Sequence, residues 1–139
     1  MTFREMLKDQ VIVLDGATGT MIQSLDLTDE DFGGADYKML SDLLNFSHPE
    51  KMKEIHKQFF RVGANAVETN TFGASTYRLS EYDFSGLVTD TWHPLPYDVH
   101  LATASHDDIA YYMAHAGARI GCEAREEYMQ EDGYDGRPL

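Results

Sequence analysis

Val11-Ile12-Val13-Leu14-Asp15-Gly16-Ala17-Thr18-Gly19-Thr20 is the stretch of sequence that decides the predicted fold. Four apolar residues, three of them β-branched, are followed at once by an acid and a glycine-containing loop. A short apolar run closed by glycines is typical of a strand buried on both faces, as in a parallel sheet. We therefore predict a strand over residues 11–14 and a tight polar loop over residues 15–20.

A helix is predicted next, after an acidic stretch over residues 26–42 that we interpret as a long loop. Ser47 is placed to cap this helix, and Pro49 is tolerated in its first turn. Apolar residues then recur at spacings of three and four, as on one face of a helix: Met52, Ile55, Phe59 and Val62. Gly63 follows as a typical residue at a helix C-terminus.

A second strand with a polar end is predicted where Ala66 and Val67 lead into Glu68-Thr69-Asn70-Thr71. A strand, a helix and a second strand in this order form a βαβ unit, and such units build parallel sheets. The predicted fold class is therefore α/β. Ligands of such sheets gather at the carboxyl ends of the strands, so the polar ends of both strands are expected to line one rim.

The second half of the chain has weaker patterns. Residues 84–106 contain one glycine and two prolines, which indicates an irregular insertion. Ser105 and Asp108 then have the spacing of a helix cap. A helical stripe follows at Ile109, Met113, Ala116 and Ile120. Because Gly117 and Gly121 would each cost this helix about 1 kcal/mol relative to alanine, we expect another part of the backbone to pack closely there.

The composition bounds the function classes. A chain of 139 residues is long enough for one domain with one core. The formal net charge of −13 repels phosphate backbones and anionic lipid heads, so neither nucleic acid nor a membrane is an expected partner. No secretory signal and no apolar run near the ~20 residues of a membrane span are present, so cytoplasmic residence is expected. The single cysteine, Cys122, is interpreted as a buried packing residue.

The loop over residues 15–20 has the most informative chemistry. Its glycines let backbone N–H groups point into a concave nest that suits an anion. An acid beside the nest disfavours a bare phosphate and favours a zwitterion, with Asp15 holding an ammonium group and the amides of residues 17–20 holding a carboxylate. A dinucleotide site is disfavoured because the Gly-x-Gly-x-x-Gly pattern is absent. A phosphatase of the haloacid-dehalogenase type is disfavoured because Ala17 stands in place of its second acid. A tight turn without any ligand stays open.

The second polar cluster offers Glu68 and Asn70 as ligand residues on the same rim. Backbone capping and turn formation explain Asn and Thr there equally well, so both interpretations stay open. Six histidines are present, but no two have the spacing of a helical zinc site with an acid between them, so no metal site is predicted. His48 and His56, on the first predicted long helix, are expected to face solvent or to bond local carbonyl groups.

Three stretches resemble the homocysteine S-methyltransferases, which include the homocysteine-binding domain of cobalamin-dependent methionine synthase. They are residues 11–23, residues 42–50, and residues 55–72 with their end Glu68-Thr69-Asn70-Thr71-Phe72. Together they cover the first half of the chain. The combination of the Asp-Gly-x-x-Gly-Thr loop with Glu-Thr-Asn-Thr-Phe at this separation is specific, whereas residues 80–139 match only loosely.

The resemblance implies methyl transfer to the sulfur of homocysteine at the rim of a (βα)8 TIM-type barrel. Residues 1–139 would then be the N-terminal part of a homocysteine-binding barrel domain, with its first βα units and truncated before the third strand. The implied substrate-binding residues are Asp15, Gly16, Ala17, Thr18, Gly19, Thr20, Glu68, Asn70 and Thr71. No catalytic residue is implied. Zinc is implied for the full-length protein, but its cysteine ligands have no counterpart in this chain. Cobalamin and methyltetrahydrofolate would act through other domains.

Three functional hypotheses follow. The first is part of a homocysteine S-methyltransferase that is inactive by itself because the zinc ligands are absent. The second is a non-enzymatic module that binds an amino acid or associates with itself, with its open sheet edges covered by another copy. The third is a different enzyme that uses Asp15 and Glu68 as a proton-transfer pair.

Overall fold

The computed structural model describes residues 3–139, and the regular secondary structure in that range is helical. Met1 and Thr2, which belong to the predicted domain, lie outside the described residues. The α-helices are α1 Phe3–Asp9, α2 Thr18–Gln23, α3 Leu44–Ser47, α4 Pro49–Arg61, α5 Thr76–Leu79 and α6 His106–Tyr128. Short 3₁₀ helices span Asp29–Phe32, Ala35–Tyr37, Ser41–Leu43 and Phe84–Gly86. Within residues 3–139, no helix is both long and apolar enough to cross a membrane.

The predicted α/β class is wrong for the described residues. The two predicted strands meet only at one isolated parallel bridge, between Leu14 and Ala66, and residues 3–139 form no sheet. The apolar run is not buried either, because the side chains of Val11 and Leu14 are 86% and 58% exposed. An apolar run becomes a two-faced buried strand only where other elements cover both of its faces. Within residues 3–139 nothing does so, and the first βα units of a TIM-type barrel are not formed.

Helix α4 forms close to where it is predicted, but its details differ. Pro49 occupies the first turn as predicted, whereas Ser47 belongs to α3 and His48 stands at the cap position without a side-chain capping bond. Val62 lies beyond the end of α4 and is exposed, so the predicted apolar stripe fails there. Met52 and Ile55 are buried as predicted, and Phe59 is half-buried. Lys53, His56 and Phe60 are buried as well.

Helix α6 agrees with its prediction. The Oγ of Ser105 accepts a hydrogen bond from the N–H of Asp108 at 3.1 Å, which caps the helix as expected. The four residues of the predicted stripe are all buried, and the stripe continues along the helix at Ala124 and Tyr128. Cys122 is exposed, so its predicted burial is wrong. It lies between positions of the stripe and therefore faces away from the core.

The core forms where α4 packs on α6 and irregular segments cover the pair. Residues 26–42, predicted as a loop, contain two of the 3₁₀ helices and the start of a third, and they bury Phe32, Tyr37 and Leu40. Residues 87–105 have no regular structure, yet they contribute Trp92 and Leu101 to the core. That residues 84–106 are an insertion stays a prediction.

An ion-pair ladder runs along one side of the contact between α4 and α6. Lys53 Nζ lies 2.7 Å from Glu127 Oε1, and Lys57 Nζ lies 3.2 Å from the other oxygen of the same residue. Arg61 Nη2 lies 2.6 Å from Glu131 Oε1. The three bases are four residues apart on α4, so each meets an acid of α6 or of the turn that follows it.

The C-terminal residues fold back onto residues 60–65, which precede the bridge residue Ala66. The guanidinium group of Arg137 donates to the carbonyl oxygens of Phe60 and Ala64. The Nδ2 of Asn65 donates to the carbonyl oxygen of Pro138 at 2.9 Å. Leu139 and Tyr134 pack on a second, smaller apolar cluster that includes Phe60.

Candidate functional site

Asp15 joins the two predicted polar clusters. Its backbone N–H donates to the carbonyl oxygen of Ala66 at 3.0 Å, and its Oδ1 accepts the N–H of Glu68 at 3.1 Å. Next to it, the N–H of Val13 donates to Asn65 Oδ1 at 3.1 Å, and the N–H of Asn65 donates back to the Val13 carbonyl oxygen at 2.7 Å. The ends of the two predicted strands are therefore adjacent, although no sheet holds them.

The second carboxylate oxygen of Asp15 is shielded from solvent and has no hydrogen-bond partner among residues 3–139. A buried polar group without a partner costs about 1–3 kcal/mol, and more when it is charged. No basic side chain in the described part of the chain forms an ion pair with Asp15. The Oδ2 atom is thus an acceptor in need of a donor, and an ammonium group would be a suitable one.

The loop that follows Asp15 is less open than the predicted nest. Residues from Thr18 onward already belong to α2. The N–H of Thr18 donates to the Gly16 carbonyl oxygen at 2.8 Å, and the N–H of Thr20 donates to the Ala17 carbonyl oxygen at 3.0 Å. Two of the amides predicted to receive a carboxylate are therefore engaged within the loop. The carboxylate of Asp15 is bonded to Glu68 rather than to these amides.

An open cavity of about 430 Å³ adjoins the same loop at Gly19. Its walls are mostly apolar, and its polar side chains are Gln23, Lys38 and Ser41. Lys38 Nζ is paired with Asp29 Oδ1 at 2.6 Å. Asp15 does not line this cavity.

Asn70 is placed inside the protein rather than on the rim, with 8% of its surface exposed. Its Nδ2 donates to the Ser41 carbonyl oxygen at 2.8 Å, and its own carbonyl oxygen accepts from Asn45 Nδ2 at 2.6 Å. The hydroxyl groups of Thr71 and Thr69 are bonded to each other at 2.8 Å. Of the predicted residues in this cluster, Glu68 is the exposed one.

Asp42 is a buried acid that the sequence analysis did not single out. It is 4% exposed, and its Oδ1 accepts the N–H of Gly73 at 2.7 Å. Burial raises the pKa of its carboxyl group, and the bond from Gly73 opposes that shift. The available signal was a single acid in front of two leucines, Leu43 and Leu44, in a stretch predicted as a loop.

Two histidines differ from their predictions. His56 is fully buried in α4, neither ring nitrogen has a partner among residues 3–139, and burial lowers the pKa of its imidazole to about 4. It therefore neither faces solvent nor bonds a local carbonyl group. His48 pairs through Nε2 with Asp31 Oδ1 at 2.9 Å. Burial lowers the pKa of His48, and Asp31 opposes that shift.

Within residues 3–139, no group of three or more His, Cys, Asp or Glu side chains is arranged to hold a metal ion. Cys122, the only thiol, is exposed on α6 and belongs to no such group. The described residues therefore do not fit the zinc that the family resemblance implies.

Comparisons with known proteins agree on one family. A family model described as "Homocysteine S-methyltransferase" matches residues 12–135. The protein named methionine synthase from Mycobacterium tuberculosis (strain ATCC 25618 / H37Rv) is 41% identical over 86 residues, and the one from Mycobacterium leprae (strain TN) is 40% identical over 86 residues. Each alignment covers 62% of this chain and 7% of the relative, so the chain spans a small part of these curated relatives.

Proposed function

The chain belongs to the homocysteine S-methyltransferase family, and from this premise we propose that its two polar clusters help to bind homocysteine. In the proposed reaction the bond between a methyl donor and its methyl group breaks, the homocysteine sulfur gains the methyl group and loses its thiol proton, and methionine and the demethylated donor are formed. The observation that carries the proposal is the shielded, unpartnered Oδ2 of Asp15, next to Glu68. A doubly charged amino acid supplies the ammonium group that such an oxygen lacks.

The residues have separate roles in this proposal. Asp15 accepts a hydrogen bond from the substrate ammonium group through Oδ2, and exposed Glu68 adds a second negative charge beside it. The substrate carboxylate is received by those backbone N–H groups of the loop over residues 16–20 that are not already bonded within it, as the N–H groups of Thr18 and Thr20 are. Thr71 shapes the neighbouring segment.

We propose further that residues 3–139 bind homocysteine but do not transfer a methyl group by themselves. A thiolate is a far better nucleophile than a thiol, and a zinc ion that binds the sulfur would favour the thiolate. The support is that the described residues offer no set of three ligands for such an ion. We expect no methionine to form when the purified chain is incubated with homocysteine, zinc and a methyl donor, and sustained turnover would contradict this.

Calorimetric titration of the purified chain with L-homocysteine, without metal, tests the binding proposal. A hydrogen bond to a charged group is worth about 1.5–3 kcal/mol, so Asp15→Asn is expected to weaken binding by about ten- to a hundredfold. Asp132→Asn, which removes an exposed acid outside the site, is the matched control and is expected to bind like the wild type.

The same titration with the homocysteine analogue that lacks the amino group identifies the partner of Asp15. The wild type is expected to bind this analogue more weakly than homocysteine. Asp15→Asn is expected to lose that preference, because the amino group then has no carboxylate at residue 15. Equal binding of both compounds by the wild type would remove Asp15 from the proposed role.

A self-associating module is the second candidate, favoured by the exposed apolar side chains of Leu14 in the single bridge, of Val11 in the same segment, and of Phe72. Exposed apolar segments with unpaired backbone groups are templates for association. Sedimentation velocity over a range of concentrations separates the two candidates. A dimer that Leu14→Asp converts to a monomer would favour the module, whereas a monomer at all concentrations would contradict it.

A further inference from the structure

Buried polar side chains hold residues 68–73 from the side of the core. Asp42 Oδ1 accepts the N–H of Gly73 at 2.7 Å. A Cβ atom added to Gly73 would lie 2.8 Å from Asp42 Oδ2 and 2.8 Å from Leu40 Cδ1, which is too close for either contact. The carboxylate therefore fits this end of the segment only because residue 73 is a glycine.

Asn45 holds the middle of the same segment. Its Nδ2 donates to the Asn70 carbonyl oxygen at 2.6 Å and lies 3.5 Å from the carbonyl oxygen of Met113 on α6. Its Oδ1 accepts from Asn70 Nδ2 at 3.4 Å. Asn45 and Asn70 are both buried, so the polar groups of Asn70 are directed at other parts of the protein and not at solvent.

Gly117 lets α6 approach this segment from the other side. A Cβ atom at residue 117 would overlap Thr71 Cγ2 and would lie 3.0 Å from Asn45 Nδ2. A Cβ atom added to Gly121, one turn later, would lie 3.3 Å from Thr69 Cγ2. Close packing is therefore found at both glycines, but the nearest atoms belong to side chains rather than to the predicted backbone. Two of these side chains belong to the segment that begins at Glu68.

We propose that Asp42, Asn45 and Gly117, which we name the bracket, are positioning residues that set the place of Glu68 against Asp15. The bracket contacts residues 70, 71 and 73, which follow Glu68 closely in the chain, so their positions restrict that of Glu68. The N–H of Glu68 is in turn hydrogen-bonded to Asp15 Oδ1. Asn70 is the part of the segment that the bracket grips, and it does not touch the substrate. This inference rests on the proposed binding of homocysteine at Asp15 and Glu68.

The decisive variant is Gly117→Ala, because alanine suits a helix interior better than glycine and the variant is not expected to destabilise α6 itself. In the wild-type background it is expected to weaken homocysteine binding about tenfold, since misplaced groups lose affinity steeply. In a Thr71→Ser background, which lacks the overlapping Cγ2 atom, the same change is expected to weaken binding less than about twofold. Gly133→Ala, where no heavy atom lies within 4 Å of the new Cβ, is the matched control.

A readout that needs no ligand is the rate at which the Glu68 amide proton exchanges with deuterium. That proton is bonded to Asp15 Oδ1, so Gly117→Ala is expected to speed its exchange about fivefold or more, and less in the Thr71→Ser background. Should Gly117→Ala not fold, Asn45→Ser is measured in its place, because it removes the donor to Asn70 without adding bulk.

The outcomes separate the bracket from the binding proposal. Unchanged affinity and unchanged exchange in folded Gly117→Ala would overturn the bracket. A loss of stability with no change in homocysteine affinity would also overturn it, because the three residues would then only support the fold. Absence of homocysteine binding by the wild type would overturn the proposed function, and the Glu68 exchange rates would still decide whether the bracket holds the segment.

Discussion

The contact between α4 and α6 and the contact between residues 11–15 and 65–68 are built in opposite ways. The helix pair buries apolar stripes on both partners and adds the ion-pair ladder of Lys53, Lys57 and Arg61 along its side. The second contact is made of backbone hydrogen bonds, two bonds accepted by the side chains of Asn65 and Asp15, and one bridge. Val11 and Leu14 are exposed there. Stability is therefore expected to come from the first region, while the second keeps unpaired groups that a ligand can use.

The largest test of this difference removes matched apolar side chains from the two regions. Ile120→Ala, on the buried stripe of α6, is expected to lower the free energy of unfolding by about 2–5 kcal/mol, because it leaves a cavity in a packed core. Leu14→Ala is expected to cost less than about 1 kcal/mol, because that side chain is mostly solvated. Urea denaturation of both variants measures this, and equal losses would erase the distinction.

Acid is expected to weaken the helix pair through His56. Its pKa is about 4 when folded and about 6.5 when unfolded, so below pH 6.5 the unfolded chain binds a proton that the folded chain does not. The free energy of unfolding should therefore fall by up to about 3 kcal/mol between pH 6.5 and 4, with no further contribution below that.

Denaturation of the wild type and of His56→Leu at pH 7 and pH 4.5 isolates this contribution. The variant should lose less stability on acidification than the wild type does. His100→Gln, at an exposed position, is the control and should follow the wild type. The same acid sensitivity in His56→Leu would show that another group is responsible.

The smallest effect concerns the ladder. Bonds from Arg61 and Lys57 lower the pKa of Glu131 to about 2, so its contribution is present above the unfolded value of about 4.5 and is lost as the pH falls toward 2. Because the ion pair between Arg61 and Glu131 is near solvent, Glu131→Gln is expected to lower the free energy of unfolding by only about 1 kcal/mol at pH 7. High salt should reduce the difference from the wild type, and a loss that is insensitive to salt would indicate packing instead.

The comparison also separates what the sequence predicts from what it does not. The stripe of α6, the Ser105 cap and the close approach at Gly117 follow from helix periodicity and from the cost of glycine, which are local properties. The prediction of a strand at residues 11–14 is wrong because an apolar run shows that burial would be favourable, but not which other elements would bury it.

The candidate site could be predicted only in outline. The adjacency of Asp15 and Glu68 was expected and is observed, although through two loops and not through a sheet rim. Asp42 and Asn45 could not be assigned, because a buried polar side chain is recognised by partners that lie far away in the chain. The substrate-binding roles themselves stay predictions.

Asn65 has a consequence for how distant parts of the chain depend on one another. Its side-chain amide group bonds two distant segments: Oδ1 accepts the N–H of Val13, and Nδ2 donates to the carbonyl oxygen of Pro138. Both bonds are made by one planar group, so rotating it to follow one partner withdraws it from the other. A change in the path of the chain at Pro138 would therefore weaken the bond from Val13, two residues before Asp15, although Pro138 and Val13 are linked indirectly, through Asn65.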